Sequence, residues 1–248
     1  DKPSLSVSTT EVVEGGYAVF NIQLSNPSTQ DVTFDLTPKE GTATQDDYSS
    51  IVEVSYDGGV TWTPASEAII PAGKTQILAR VQTTQDDIDE LVEKFTLTAD
   101  ITSGNTTNVS STGTASILDN DGEPQIVISD SSVNEEDGLL TFVVSLSNPS
   151  SNVVTVNYVT ANGTAIAGSD YVSSTGTITF APGETSKIIT VAVLDDNVFE
   201  NPESMYVNLS NPINSTIADA QGEGRILDNA DKPSLSVSTT EVVEGGYA

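Results

Sequence analysis

Residues 231–248 of this chain, DKPSLSVSTTEVVEGGYA, repeat residues 1–18 without a change. Asp231 stands where Asp1 does, so the period is 231 − 1 = 230 residues. Any fold adopted by one period must tolerate a copy of itself following it, which points to a modular array. An older, diverged duplication lies inside the period. Leu24-Ser25-Asn26-Pro27-Ser28 matches Leu146-Ser147-Asn148-Pro149-Ser150, and Gly41-Thr42-Ala43 matches Gly163-Thr164-Ala165. Asp47-Tyr48 matches Asp170-Tyr171, and Ile117-Leu118-Asp119-Asn120 matches Ile226-Leu227-Asp228-Asn229. The period therefore reads as two related domains, 1–121 and 122–230, with 231–248 supplying the first strands of the next repeat.

Within each domain the local pattern is that of strands. Val153 to Val159 and Thr175 to Phe180 alternate apolar with polar residues, the period of a half-buried strand. Asn26-Pro27, Asn148-Pro149, Asn162-Gly163 and Pro182-Gly183 punctuate the runs as turns. About seven short strands per domain predict an all-β fold, tandem immunoglobulin-like antiparallel β-sandwiches. Residues 86–95 mimic a short acidic helix, but the matching 195–204 carries Pro202 in its interior. Domain 1 has an insertion, Val54-Ser-Tyr-Asp-Gly-Gly-Val-Thr-Trp62, whose Asp57-Gly58-Gly59 reads as a hairpin turn. Trp62 packs on that hairpin or offers a stacking platform for sugars.

Eight basic residues against 36 acidic ones give a formal charge of −28. Phosphate backbones and anionic bilayers are repelled, so nucleic acid and direct membrane insertion are not expected, and cations are. The chain has no Cys and no His, which removes disulfides, thiolate catalysis, Cys/His zinc sites and His-based triads.

The carboxylates are clustered, and the clusters recur. Each domain has an early Glu, Glu14 or Glu135, and an Asp before Tyr, Asp47 or Asp170. Each has a dense acidic segment, Asp86-Asp87-Ile88-Asp89-Glu90-Leu91-Val92-Glu93 or Asp195-Asp196-Asn197-Val198-Phe199-Glu200-Asn201-Pro202-Glu203. Each ends acidic, with Asp119-Asn120-Asp121 or Asp228-Asn229-Ala230. A surface that needed only solubility would intersperse Lys and Arg. Hard divalent cations take six to eight oxygens from carboxylates, carbonyls and water, and a large, irregular protein-supplied set favours calcium over magnesium.

The combined pattern resembles the Calx-beta domain: Val-x-Glu, Gly-Thr-Ala before Asp-Tyr, Phe-x-Pro-Gly-Glu-Thr, an acidic segment and Ile-Leu-Asp-Asn. Residues 133–229 carry it almost throughout, including Phe180-Ala181-Pro182-Gly183-Glu184-Thr185, and residues 11–120 less fully, with Gln85 in the place of Asp195. The resemblance implies calcium ligands converging at one end of each sandwich. In domain 1 these would be Glu14, Asp47, Asp86, Asp87, the Ile88 carbonyl, Glu90, Glu93, Asp119 and Asp121. In domain 2 they would be Glu135, Asp170, Asp195, Asp196, the Val198 carbonyl, Glu200, Glu203 and Asp228. The family's terminal triple Asp is depleted to Asp-Asn-Asp and Asp-Asn-Ala, which predicts fewer or weaker ions in domain 2.

Long near-perfect repeats also resemble the extender regions of large bacterial surface adhesins. The expectation is a non-enzymatic, calcium-stiffened extender of an extracellular or cell-surface protein, with neighbouring repeats of the same chain as partners. A carbohydrate-binding module is the alternative, though aromatics are only 6% and Trp62 is its one good candidate. An ice-binding face is a third reading, prompted by Thr175, Thr177 and Thr179. Residues 231–248 would serve as a swapped strand in a neighbouring molecule, giving self-association, or remain a mobile tail.

Overall fold

A computed structural model describes residues 1–228 and 233–245. They form two compact units, 1–123 with 148–152, and 124–147 with the residues from 153 onward. Residues 148–152 join the first unit through Asp89. Its N–H donates to the Pro149 carbonyl at 3.0 Å, and its carboxylate accepts from the Ser150 hydroxyl at 2.8 Å.

The first unit runs β1 (Leu5–Val7), β2 (Thr10–Val13), β3 (Tyr17–Leu24), β4 (Val32–Glu40), β5 (Tyr48–Ser55), β6 (Thr63–Pro64), β7 (Glu67–Ile70), β8 (Gln76–Thr83), β9 (Glu93–Ser103) and β10 (Ser110–Leu118). One sheet has the order β1-β3-β8-β5-β6 and the other β2-β10-β9-β4-β7. The period-2 pattern decides which side chains face inward. Along β3, Ala18, Phe20, Ile22 and Leu24 are buried, and they share a core with Ile77, Ala79 and Val81 of β8. Phe34 of β4 and Phe95 and Leu97 of β9 face them from the second sheet.

The second unit runs β11 (Gln125–Ile128), β12 (Ser131–Asn134), a 3₁₀ turn (Glu135–Asp137), β13 (Leu139–Leu146), β14 (Val154–Asn162), β15 (Thr175–Phe180), β16 (Ser186–Ala192), β17 (Glu203–Ile213), β18 (Thr216–Ile217) and β19 (Gln221–Leu227). Its sheets are β16-β13-β11-β18 and β12-β19-β17-β14-β15. Both units are antiparallel sandwiches apart from short parallel pairings at their edges.

The first strand of each unit splits and changes sheets. In the first unit β1 pairs with β3, whereas β2 crosses to pair parallel with β10. In the second, β11 pairs with β13 and β12 pairs parallel with β19. A glycine lies at each crossing because the backbone approaches too closely for a side chain. A Cβ on Gly113 would lie 2.2 Å from the Ser8 carbonyl oxygen, and one on the equivalent Gly222 would lie 2.7 Å from that of Ser129.

The insertion in the first unit forms the expected hairpin between β5 and β6. Asp57 holds its turn, accepting from the Val60 and Thr61 N–H groups and the Ser55 and Thr61 hydroxyls. These bonds, that of the Thr61 hydroxyl foremost, hold its carboxyl below the ordinary range. Trp62 is spent on the same hairpin. Its indole N–H donates to the Gly59 carbonyl at 3.0 Å, and the Arg80 guanidinium lies 4.3 Å from its ring centroid. Residues 86–92 contain no helix.

Residues 233–245 carry no strand, and 229–232 and 246–248 lie outside the described residues, so the swapped strand expected over 231–248 falls partly outside them.

Candidate metal centre

The strand switch is what brings the early Glu to the acidic end. Because β2 runs parallel to β10, Val13 pairs with Leu118, and the Glu14 N–H donates to the Leu118 carbonyl. Glu14 thereby meets the residues that follow β10, Asp119 to Asp121. In the second unit Asn134 pairs with Leu227, which sets Glu135 beside Asp228. Glu93 and Glu203 open β9 and β17, paired with Ile117 and Ile226 at the same end.

Tyr48 and Tyr171 explain the Asp-Tyr signature. Both rings are fully buried. Each tyrosine anchors the chain in the core and leaves the preceding Asp at its rim. The Asp is further fixed by its own turn: Asp47 Oδ2 accepts from the Thr44 N–H and hydroxyl, and Asp170 Oδ2 accepts from the Ile166 N–H at 2.6 Å. Asp86 and Asp196 also behave alike. Asp86 Oδ1 accepts from the Ile88 N–H at 2.8 Å, and Asp196 Oδ1 from the Val198 N–H at 2.6 Å. These turns hold the acidic loops in shape.

Three carboxylate groups converge. They are Glu14 with Asp86 and Asp121, Asp47 with Glu90 and Glu93, and Asp170 with Glu200 and Glu203. Within each, the potential ligand atoms lie within 4.8 Å of one another. Oxygens on opposite sides of one calcium ion are separated by about 4.6–5.2 Å, twice the metal–oxygen distance, so each group fits a single coordination shell.

Asp119 lies in the same field without joining a triad. Asp87 and Asp195 are exposed and Val198 is largely so, outside the three groups. Among the described residues, Glu135, Asp196 and Asp228 do not close a second triad in the second unit. Asp121, which completes the Glu14 group, corresponds to Ala230.

The residues fit a cation because three of their buried oxygens have no donor. Glu93 Oε2, Asp121 Oδ2 and Glu135 Oε2 are buried without a hydrogen-bond donor. Such orphaned acceptors are costly in a folded protein unless a ligand meets them. The ion pairs Arg80–Glu53 and Lys187–Glu184 involve no member of the clusters. Burial, foremost, pushes Glu14, Glu93, Glu135 and Glu203 up to about 7 from 4.5. Neighbouring carboxyls add to it: Asp121 against Glu14, Asp47 against Glu93, Glu200 and Asp228 against Glu135, and Asp170 against Glu203. Burial likewise raises Glu90, Asp119 and Glu200.

A pH prediction follows. Between about 4.5 and 7 the folded, cation-free chain binds more protons than the unfolded chain. Its stability therefore falls as pH rises through that window. Thermal melts of chelated protein should show a higher midpoint near pH 5 than near pH 7.5. A saturating divalent cation should reverse the trend, since it competes with the protons. A chelated midpoint that rises with pH across the window would contradict this electrostatic picture.

Gln85 is a positioning residue that a search for carboxylates overlooks. Its amide N–H₂ donates to Glu14 Oε1 at 2.8 Å and to the Asp86 carbonyl at 2.9 Å. Asn120 in turn donates to Gln85 Oε1 at 2.9 Å. The amide pair thus orients Glu14 without adding charge. Its only trace in the sequence is a polar, neutral residue where the sister domain has Asp195.

The chain matches the Calx-beta domain family over residues 1–123 and 119–230. It is 48% identical over 71 residues to sodium/calcium exchanger 1 of Canis lupus familiaris, covering 29% of this chain and 7% of the exchanger. It is 46% identical over 67 residues to sodium/calcium exchanger 2 of Homo sapiens, covering 27% and 7%. The chain thus spans less than a tenth of the length of these relatives. Among solved structures it is similar to the apo-form Calx CBD1 domain, with 29% identity and a TM-score of 0.41, covering 44% of this chain and 99% of that one. It is also similar to CBD12 from CALX1.2, with 16% identity and a TM-score of 0.40, covering 91% and 99%.

Proposed function

Because the chain belongs to the Calx-beta domain family, we propose that it binds calcium and acts as a calcium-stiffened, non-catalytic extender repeat of an extracellular or cell-surface adhesin. The observation that carries the calcium reading is the set of three convergent carboxylate triads with orphaned buried oxygens beside them. The extender reading rests on the exact recurrence of residues 1–18 at 231–248.

The residues that would hold calcium are Glu14, Asp86 and Asp121, then Asp47, Glu90 and Glu93, and in the second unit Asp170, Glu200 and Glu203. Bound calcium supplies positive charge that neutralises carboxylates otherwise repelling one another. Asp119, Asp121 and Asp228 immediately follow the last strand of their unit. In the first unit a cation held by Asp121 with Glu14 and Asp86 ties the end of the last strand to its own acidic loop and restricts how the chain departs. Extracellular calcium modules bind with dissociation constants of about 10⁻⁴–10⁻³ M, so such a repeat fills outside cells and empties at cytosolic calcium.

Two ions in the first unit against one in the second is the expected stoichiometry, since Ala230 removes a ligand from the second. Small-angle scattering on the full chain tests the stiffening. Chelation should broaden the distribution of maximum dimensions, and calcium should narrow it. An unchanged distribution together with an unchanged melting temperature would contradict the proposal.

A further inference from the structure

Within the first unit, residues 148–152 are held chiefly by the main chain of Asp89. The Asp89 N–H donates to the Pro149 carbonyl at 3.0 Å, and the Ser151 N–H donates to the Asp89 carbonyl at 2.9 Å. Asp89 and Ser150 thus form a parallel bridge. Neither bond uses a side chain, so any residue at position 89 could make them.

This docked turn has a copy in residues 26–30, between β3 and β4. The internal bonds of the two turns are the same. Asn148 Nδ2 donates to the Gly122 and Pro149 carbonyls at 2.9 and 3.3 Å, and Asn26 Nδ2 donates to those of Asp1 and Pro27 at 3.1 and 3.3 Å. Ser150 Oγ accepts from the Asn152 N–H at 3.1 Å, and Ser28 Oγ accepts from the Gln30 N–H at 3.1 Å. The conformation that docks on Asp89 is therefore already formed at 26–30. Its surroundings differ. Ser150 is buried and Pro149 half-buried, whereas Ser28 is half-buried and Pro27 exposed. Among the described residues, no main-chain group bonds to the Pro27 carbonyl or to the Thr29 N–H.

The repeat supplies the occupant. Asp86, Ile88 and Glu90 match Asp196, Val198 and Glu200, so Phe199 stands where Asp89 does. Asp86 and Asp196 close the same turn just before these positions. Residues 231–248 begin another copy of the first unit after the second, so the next copy of 26–30 follows Phe199 as 148–152 follows Asp89. The spacer is equal in both cases: Leu118 to Pro124 is 124 − 118 = 6, and Leu227 to Pro233 is 233 − 227 = 6.

We infer that, in the array, the 26–30 turn of each repeat docks on the Phe199 loop of the second unit that precedes it. The Phe199 N–H donates to the Pro27 carbonyl, and the Thr29 N–H donates to the Phe199 carbonyl. Main-chain bonds of this kind give affinity, and the side chains give the joint its character. At Asp89 the carboxylate accepts from the Ser150 hydroxyl at 2.8 Å. Phe199 has no acceptor to offer, and its exposed ring instead covers the exposed ring of Pro27. Lys2 lines the cleft beside Ser28 and Thr29, a positive charge suited to a loop that carries Asp195, Asp196 and Glu200. The inference rests on the tandem-repeat reading and on no calcium ligand.

Disulfide trapping tests it cleanly, because the chain has no cysteine. Bridged residues on adjacent strands lie about 4.8 Å apart, within the Cα separation that a disulfide spans. The chain is extended after residue 230 by a complete first unit, and Phe199→Cys is combined with Ser28→Cys in the following copy alone. Oxidised in calcium, this pair should close within one molecule, at a yield independent of protein concentration. Its rate should exceed at least about tenfold that of Phe199→Cys with Asp46→Cys, which lies at the opposite end of the following sandwich. Asp89→Cys with Ser150→Cys should close as readily, since it traps the contact already formed. An open 199–28 pair beside a closed 89–150 pair, or a bond formed only between molecules, would overturn the docking and leave the calcium sites standing. An 89–150 pair that stays open would remove the template and overturn it as well.

Discussion

Calcium added to the chelated chain should raise the melting temperature of the first unit by roughly 20 °C and of the second by roughly 10 °C. A ligand that binds only the folded state at about 100-fold above its dissociation constant adds about 2.7 kcal/mol per site. Two triads in the first unit then contribute about 5 kcal/mol, and one in the second about half of that. Each kcal/mol shifts the midpoint of a domain this size by about 4 °C. The two units should thus separate into two transitions in calorimetry, with the first gaining more. Glu93→Gln and Asp47→Asn together should remove one of the two increments from the first unit and leave the second unit's transition unchanged. A single calcium-independent transition would count against all three sites.

Truncating Phe95 to Ala should cost about 3–5 kcal/mol, the range for a buried aromatic in a packed core. Phe95 is fully buried, with Tyr48 stacked on it at 4.2 Å between centroids and Phe20 meeting it edge-on at 6.1 Å. The consequence should reach the metal end. Tyr48 anchors the backbone of Asp47, so a cavity beneath its ring loosens the carboxylate that closes the Asp47–Glu90–Glu93 triad. The urea midpoint of the first unit and its calcium affinity should therefore fall together. Phe142→Ala makes a matching cavity in the second unit's core and should leave calcium binding by the first unit unchanged. Equal effects of the two substitutions on that binding would refute the link from Phe95 to Asp47.

Most of the architecture was legible in the residues, because period-2 alternation and turn chemistry act locally. The sandwiches, the hairpin at Asp57-Gly58-Gly59 and the loop character of residues 86–92 follow from such signals. The sheet-switching first strand does not. It depends on Gly113 and Gly222 admitting a backbone that passes far away in sequence, and a glycine inside a strand pattern carries no label for that. It also accounts for one strand beyond seven in each unit, since one strand becomes two; short strands such as β6 and β18 add to the number.

The site divides in the same way. Recurrence of Glu, Asp-Tyr and the acidic segment pointed to the residues from which the three triads are drawn, because carboxylates in excess of any cation are visible in composition. Which three oxygens meet is a matter of register. Hence Asp87 and Asp195 fall outside the triads although their charge is the same as their neighbours'. Asp89 is consumed by Ser150, a residue 61 positions away. Gln85 is visible in the sequence only as a departure from Asp195, and its role in orienting Glu14 through its amide emerges from the fold.

Isothermal titration of calcium into the chelated full chain is the most direct test of the carboxylate ends as calcium sites. Saturable binding is expected, with the first unit taking two ions and the second one. Asp47→Asn with Glu93→Gln should remove one ion from the first unit, and Asp170→Asn with Glu203→Gln should remove the ion of the second. The absence of a saturable heat at millimolar calcium, or binding that survives both pairs of substitutions, would contradict it.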